Sequence, residues 1–250
     1  MLHRRHCSTT LSSPVGLAVA RLVPQMKILI ASTPATGHLN PLPAIGHFLI
    51  TEGHQGAFLS GSVFRDRILA IGSSFHAFPA GADFDPSVPA SVASELESIT
   101  PGADWLRVAM ERMFVDAVPA QHQGLQKVLQ NFPADVVIGD DMLFGVLPML
   151  LGPDAKRPPI VLCGTSFLHW CRGDGAPHFI GLPPAITQAQ RDEYAQIYQD
   201  HDSQIYRPVA DRLNRHLEKI GVEPLSMTLR CGFRSIRPGY SDPISPRIPM

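Results

Sequence analysis

The sequence has little charge. Lysine, arginine, aspartate and glutamate make up 17% of the 250 residues, and the net charge at pH 7 is only −1. Globular proteins carry about a quarter charged residues, so this composition excludes a coiled coil and a highly charged nucleic-acid-binding protein. Because 44% of the residues are apolar, a disordered chain is excluded as well. The chain is long enough to bury a substantial hydrophobic core.

Cysteine is also scarce, and long apolar runs are missing. The four cysteines lie far apart and form no CxxC pair; they are Cys7, Cys163, Cys171 and Cys231. This spacing predicts neither a disulfide framework nor a zinc site, and it indicates a reducing compartment such as the cytoplasm. No stretch approaches the roughly 20 apolar residues of a membrane-spanning helix, so we expect no membrane span.

Acidic residues are missing from the start of the chain, and the charge is therefore unevenly distributed. Residues 1–25 hold three arginines and no acid, and residues 230–250 hold four arginines against one aspartate. The intervening residues 26–229 contain 14 of the 21 basic residues and 21 of the 22 acidic ones, a net charge of −7. An acidic body does not attract a phosphate backbone, so no nucleic acid is expected as a partner.

The two basic ends differ in texture from the acidic body. Residues 1–25 are rich in Ser, Thr and Arg, which is typical of a transit segment. They are also consistent with translation from an upstream start codon, with Met26 as the real beginning. We favour the second interpretation and predict a non-native or disordered extension. Residues 228–250 are proline-rich and show no apolar periodicity, which predicts an irregular tail.

Between these ends, strand and helix patterns alternate. Short apolar runs predict strands at 27–33, 57–59, 75–78, 135–140 and 159–164. Helical patterns occur at 41–50, 63–71, 103–132, 144–151 and 185–220. This order predicts the α/β class, with a Rossmann-like, doubly wound parallel sheet.

Helix signals and irregular segments refine this outline. Pro41 is predicted to open the first helix, with Asn40 able to cap it, and Pro119 is predicted to kink or split the third helix. Residues 80–102 form a long Pro/Gly/Ser-rich connection of the kind that often makes binding or lid segments. Residues 165–184 are predicted to be irregular.

Ligands of open α/β sheets bind beyond the carboxyl ends of the strands, and polar residues follow three of the predicted strands. His38 lies in the first loop, where a neutral imidazole before a helix N-terminus can act as a general base. Asp140 ends a buried strand and can accept a hydrogen bond from the imidazole. From spacing alone, a loop histidine and a helix-capping Asp140 or Asp141 remain equally open interpretations.

Other candidates are weaker. The first loop has no GxGxxG and no GxxxxGK[ST], which disfavours nicotinamide or ATP binding. His47 and His54 fit surface or packing positions better than metal ligation. Asp83 and Asp85 fit a solvated loop better than a cation site. Ser166 has no GxSxG elbow, so a serine hydrolase is not expected.

Three segments resemble family-1 glycosyltransferases of the GT-B fold, especially the macrolide-type and UDP-glycosyltransferase-like members. MKILIASTPATGHLNPLPAIGHFLITEGHQGAFLSG is similar to the family's opening segment with its GHLNP motif. ADVVIGDDMLFGVLPMLL is similar to the later strand that ends in an aspartate, and PPIVLCGTSF to the strand after it. The resemblance spans about residues 26–227 and implies the acceptor-binding N-terminal domain of a GT-B enzyme.

The resemblance also implies an activity and a site. It implies a hexosyltransferase that moves a sugar from a UDP-sugar to a hydroxyl of a small hydrophobic acceptor, with inversion. His38 would be the general base and Asp140 its partner, since the family's D-x-x-x-F-G pattern puts the first aspartate in register. The positions expected to contact the acceptor are Phe84, Trp105, Phe167, His169 and Trp170. No cofactor and no metal are implied, because the UDP-sugar is a co-substrate.

The sequence departs from the family in one respect. The family's C-terminal nucleotide-sugar domain and its His-Gly segment are not found in residues 228–250, which resemble frame-shifted coding. We therefore expect a truncated acceptor half that turns over little by itself. The alternatives are a non-catalytic module that partners a separately encoded donor-binding domain, and a Rossmann-like oxidoreductase. The missing Gly-rich loop counts against the last of these.

Overall fold

The chain forms one five-stranded, fully parallel β-sheet in the order β3-β2-β1-β4-β5. The structure is a computed structural model that describes residues 24–153, 157–166, 172–177 and 180–225. The strands are β1 (Lys27–Ala31), β2 (Gln55–Ser60), β3 (Ser74–Ala77), β4 (Val136–Asp140) and β5 (Ile160–Cys163). All five predicted strands are confirmed, with ends that differ by a few residues.

The helices flank the sheet. Their bounds are α1 (Thr36–Leu39), α2 (Leu42–Thr51), α3 (Arg65–Leu69), α4 (Pro89–Val92), α5 (Ala103–Met110), α6 (Val118–Asn131), α7 (Leu147–Leu151), α8 (Gln188–His201) and α9 (Arg207–Ile220). Among the described residues, 3₁₀ segments lie at Ser62–Phe64, Ser94–Glu97 and Phe144–Val146, and π-helical segments at Glu111–Val115 and Asp202–Tyr206.

The sheet is covered on both faces, as a doubly wound fold requires. Alternate residues of β1 point to opposite faces, because successive side chains of a strand alternate. Ile28 and Ile30 pack with Leu39 and Leu42 of α1 and α2. On the other face, Leu29 and Ala31 belong to a second core, which includes residues of α6 and α7. The continuous apolar run of β1 therefore reflects burial on both sides, and the predicted α/β class is confirmed.

The loop after β1 differs from the prediction in its details. His38 precedes α2 as predicted, but it also lies within a further one-turn helix, α1, which the sequence did not indicate. Asn40 does not cap α2, which begins at Leu42 without a side-chain cap. The Asn40 side-chain oxygen instead accepts a hydrogen bond from Arg67 at 2.8 Å. The hydrogen bond from Arg67 therefore takes the place of the capping interaction that was predicted for Asn40.

The long predicted helix at 103–132 is divided, as expected from its proline. It consists of α5, the π-helical segment Glu111–Val115 and α6, and Pro119 occupies the first turn of α6. A proline there loses no helical hydrogen bond, since the first amides of a helix have no partner.

At the end of the described chain, Thr187 and Gln190 form a capping box that starts α8. α9 then packs on α6 through Leu213 and Leu217.

The connection at 80–102 is more ordered than predicted. It contains α4 and the 3₁₀ segment Ser94–Glu97. Ala93 and Leu96 are buried against α5 in a small separate core. The burial of Ala93 and Leu96 could not be predicted from the sequence, because these two residues do not form a periodic apolar pattern.

Two further expectations concern the ends and the membrane. Residues 1–23 and 226–250 lie outside the described residues, so most of the predicted extension and tail is not described. Gln25, at the end of the predicted extension, is described, and its side-chain amide donates to the Gly53 carbonyl at 2.9 Å. Within the described part of the chain, no helix combines the length and apolar character that crossing a bilayer requires.

Candidate active site

The fold brings three loops together at the carboxyl end of the sheet. β1, β4 and β5 are neighbours, and Ala31 pairs with Gly139 while Asp140 pairs with Cys163. The loops that follow these strands therefore meet above adjacent strand ends. They carry His38, Asp140 with Asp141, and Thr165 with Ser166.

His38 faces Asp140 across this edge. The Nδ1 atom of His38 lies 3.3 Å from Oδ1 of Asp140. The His38 side chain is 15% exposed, whereas that of Asp140 is fully buried. The other ring nitrogen, Nε2, has no hydrogen-bond partner among the described residues. The imidazole is thus held at one nitrogen and free at the other, which is the geometry that a general base needs.

Asp140 is compensated for its burial by hydrogen bonds to the backbone. Its Oδ2 accepts from the Thr33 amide at 2.7 Å, and its Oδ1 accepts from the Met142 amide at 2.9 Å. A buried polar group needs such partners to offset the loss of hydration. These two bonds fix the carboxylate between β1 and β4, so its position relative to His38 is set by the sheet.

Asp141 points into the same cluster from the other side. Its Oδ1 accepts hydrogen bonds from the Thr165 hydroxyl at 2.7 Å and the Thr165 amide at 3.1 Å. Its Oδ2 accepts a very short hydrogen bond from the Ser166 hydroxyl. Burial raises the pKa of Asp141, but the hydrogen bonds from Ser166 and Thr165 outweigh it and hold the pKa of this carboxyl below its usual value. Asp141 is therefore ionised at neutral pH.

One phenylalanine contacts His38, and a second phenylalanine packs on the first. The ring of Phe114 packs edge-on against His38, with 5.5 Å between centroids and an interplanar angle of 67°. Phe144 lies 6.4 Å from Phe114, centroid to centroid. Phe114 comes from the π-helical segment and Phe144 from the turn after β4. The imidazole of His38 therefore has both polar side chains and the aromatic ring of Phe114 as neighbours.

The predicted acceptor-contact residues are placed as follows. Phe84 is 9% exposed, and its carbonyl lies beside Gly61, which also packs against Pro34 of the His38 loop. Trp105 is half-buried in the small core around Ala93 and Leu96. Their role in acceptor binding stays a prediction. Phe167, His169 and Trp170 lie outside the described residues.

The weaker candidates have structural roles. His54 accepts a hydrogen bond from the Met26 amide at 3.2 Å, and His47 is exposed on α2. Asp83 accepts from the Ser62 amide at 2.7 Å, and Asp85 from the Ser87 amide at 2.9 Å. All four fit the surface, packing and loop positions that the sequence favoured.

A metal is a separate possibility for the cluster, since His38, Asp140 and Asp141 offer ligand atoms within 4.8 Å of one another. Every carboxylate oxygen among them already accepts a hydrogen bond from an amide or a hydroxyl. This donor set fits a hydrogen-bonded histidine better than a metal ligand set. The expectation that the protein needs no metal stays a prediction.

The chain is similar to three curated glycosyltransferases. It is 27% identical over 184 residues to UDP-glucosyltransferase B1 of Starmerella bombicola, a match that covers 72% of this chain and 43% of the relative. It is 33% identical over 162 residues to UDP-glycosyltransferase 2 of Phaeomoniella chlamydospora, covering 63% of this chain and 35% of that one. It is 26% identical over 196 residues to 4'-demethylrebeccamycin synthase of Lentzea aerocolonigenes, covering 78% and 44%.

The chain is thus similar to UDP-glycosyltransferases, as its three sequence segments indicated. It spans less than half the length of each of the three relatives. No protein-family model matches the chain.

A solved structure agrees on the fold. The glycotransferase of kitacinnamycin superimposes with a TM-score of 0.51 at 14% identity, covering 79% of this chain and 41% of that one. The Rossmann-like sheet described above is thus shared with a glycosyltransferase of known structure, which agrees with the predicted fold class.

Sequence reasoning from strand ends located His38, Asp140 and Asp141, but it missed two neighbours. Phe114 was not singled out from the sequence, and its contact with His38 depends on the π-helical segment. Thr165, which follows the last predicted strand, was not named as a site residue either. Its hydroxyl lies 2.8 Å from His38 Nδ1, closer than Asp140 does. The strand order of the sheet places β5 beside β4, and this order is what indicates that Thr165 lies near His38.

Proposed function

We propose that this chain is the acceptor-binding half of an inverting glycosyltransferase, which moves a hexose from a UDP-sugar to a hydroxyl of a small hydrophobic acceptor. The observation that carries the proposal is the approach of His38 Nδ1 to the buried Asp140 at 3.3 Å, with Nε2 left free. The relation to UDP-glycosyltransferases supports the donor class.

The geometry suggests how the reaction proceeds. Nε2 of His38 takes the proton of the acceptor hydroxyl as the acceptor oxygen forms a bond to the anomeric carbon. The bond from that carbon to the phosphate oxygen breaks, and UDP leaves with the electron pair. Attack from the face opposite the leaving group inverts the anomeric centre. Asp140 stabilises the imidazolium as its charge develops.

The surroundings of His38 also suggest the acceptor class. The ring of Phe114 presents aromatic carbon next to the imidazole rather than a hydrogen-bonding group, and Phe144 packs against Phe114. A flat, apolar acceptor bearing one hydroxyl would bury its surface against these rings and place the hydroxyl at Nε2. The UDP-sugar would be bound by a further domain, in the same polypeptide or a separate one. The scattered cysteines favour a cytoplasmic location.

The proposal is tested in a fusion. The chain is joined to the part of UDP-glucosyltransferase B1 of Starmerella bombicola that lies outside the match, and sugar transfer is measured by mass spectrometry with aromatic alcohols. We expect sugar transfer, and His38→Ala should lower kcat by about 10²-fold or more. The exposed His47→Ala serves as the matched control and should retain full activity.

Two results would contradict the proposal. A His38→Ala fusion with nearly full activity would remove this residue as the base. A fusion that binds an aromatic alcohol but transfers no sugar would instead favour a non-catalytic module.

A further inference from the structure

The hydroxyl of Thr165 connects His38 to the second carboxylate of the cluster. Thr165 Oγ1 lies 2.8 Å from His38 Nδ1 and 2.7 Å from Asp141 Oδ1. It bridges two groups that are 3.8 Å apart. The nearest polar neighbour of the imidazole is therefore this threonine and not Asp140.

The direction of each proton in this bridge follows from the chemistry of the groups. A hydroxyl has one proton, and an ionised carboxylate only accepts. Thr165 therefore donates its proton to Asp141 and offers its oxygen to His38. An oxygen lone pair can bind Nδ1 only if Nδ1 carries a proton, so the neutral imidazole must have its lone pair at Nε2.

Asp140 cannot impose this tautomer as strongly alone. Its Oδ1 is 3.3 Å from Nδ1, and that oxygen also accepts from the Met142 amide. Hydrogen bonds weaken beyond about 3.2 Å for N–H···O pairs. The Ser166 hydroxyl, in contrast, donates to Oδ2, the second carboxylate oxygen of Asp141. This hydrogen bond holds Asp141 in place and so keeps the bridge through Thr165 aligned.

We propose that Thr165 and Asp141 form a second positioning arm, parallel to Asp140, that keeps His38 protonated at Nδ1 and free at Nε2. The effect of this second arm on catalysis rests on the proposed function, whereas the tautomer of His38 does not. Thr165 and Asp141 touch neither acceptor nor donor in this scheme, so they are positioning residues. When Nε2 takes up a proton, the imidazolium faces two carboxylates, at 3.3 Å and 3.8 Å from Nδ1.

The tautomer is measured on the full 250-residue chain labelled with ¹⁵N-histidine, with no substrate present. Two-bond ¹H–¹⁵N correlation spectra distinguish the two tautomers above the titration range, and His38→Gln assigns the signal. We expect the Nδ1–H form in the wild type. Thr165→Val, which keeps the shape but loses the hydroxyl, should lower the Nδ1–H population roughly twofold or more, whereas Thr165→Ser should restore it.

A second variant protects the test against misfolding. Asp141→Ala leaves the Thr165 hydroxyl free to turn its proton towards Nδ1, so it should shift the tautomer in the same direction as Thr165→Val. An Nε2–H tautomer in the wild type would overturn the proposal without any variant. A folded Thr165→Val protein with an unchanged His38 signal would overturn it too.

Activity gives an independent result. In the fusion described above, Thr165→Val should lower kcat about tenfold while the acceptor KM changes little, because only the base is misoriented. An inactive wild-type fusion would count against the proposed function, yet the tautomer measurement would still decide the positioning arm.

Discussion

Two clusters in this molecule pair a histidine with an aspartate, and they differ in what surrounds the carboxylate. At the strand ends, Asp140 is buried near His38 and is satisfied by the amides of Thr33 and Met142. At the junction of the π-helical segment with α9, Asp116 accepts from Arg212 at 2.5 Å, from Arg112 at 2.7 Å and from His216 at 3.0 Å. We call these the strand-end cluster and the Asp116 cluster.

The difference separates the proposed active site from a structural cluster. In the Asp116 cluster, burial raises the pKa of Asp116, but the hydrogen bonds from Arg212, Arg112 and His216 outweigh it and lower this pKa to about 2. The arginines already neutralise the carboxylate, so His216 adds little. Among the residues that the structure describes, no arginine or lysine pairs with Asp140 or Asp141, and His38 is their basic neighbour.

The largest expected effect breaks the strand-end cluster. Asp140→Asn keeps the shape but replaces the carboxylate with a neutral amide that can donate to Nδ1 and favour the wrong tautomer. In the fusion, kcat should fall by about 10²-fold or more. Steady-state kinetics measures this, with the melting temperature as a check on folding. Retention of wild-type kcat would show that Asp140 does not serve His38.

The next effect breaks the Asp116 cluster. Asp116→Ala leaves Arg112, Arg212 and His216 without their shared partner, and their charges then repel one another. The free energy of unfolding should fall by about 2–3 kcal/mol, which is less than for a fully buried pair because the cluster is partly solvated. Urea unfolding of the full chain measures the loss. The His38 tautomer should remain that of the wild type, and a change there would show that the two clusters are coupled.

A smaller effect is the acid sensitivity of the Asp116 cluster. The folded pKa of Asp116 is about 2, against a usual value of 3.8, so the folded state binds a proton less readily than the unfolded chain. Its stabilisation is therefore complete above pH about 4 and is lost as the pH falls towards 2. Urea unfolding at several pH values should show this loss, and Asp116→Asn should flatten that part of the profile. An unchanged profile in the variant would contradict the assignment.

The smallest effect compares the two histidines directly. His216→Gln removes one hydrogen bond from an aspartate that keeps two arginines, so we expect a loss of about 1 kcal/mol or less and no change in kcat. The same substitution, His38→Gln, should abolish most activity in the fusion. If both variants behaved alike, the distinction between the clusters would be wrong.

Parts of the fold and of the site could be predicted from local patterns. The apolar runs of β1 and β4 and the proline in α6 depend on residues close together in the chain, which is why they were found. Asn40 as a helix cap was wrong, because Arg67, distant in sequence, binds its side chain instead. The position of His38 inside a one-turn helix was also missed, since four residues carry too little periodicity to indicate a helix.

The sequence by itself determined the class of the fold, the strand ends that carry the polar cluster, and, through the family resemblance, the proximity of His38 to Asp140. Only the tertiary structure decided which neighbours complete that pair. The parallel order of β1, β4 and β5 brings Thr165 to His38 across 127 positions of sequence. Local propensity does not encode such proximity, because it results from hydrogen bonding between strands and from packing on both faces of the sheet.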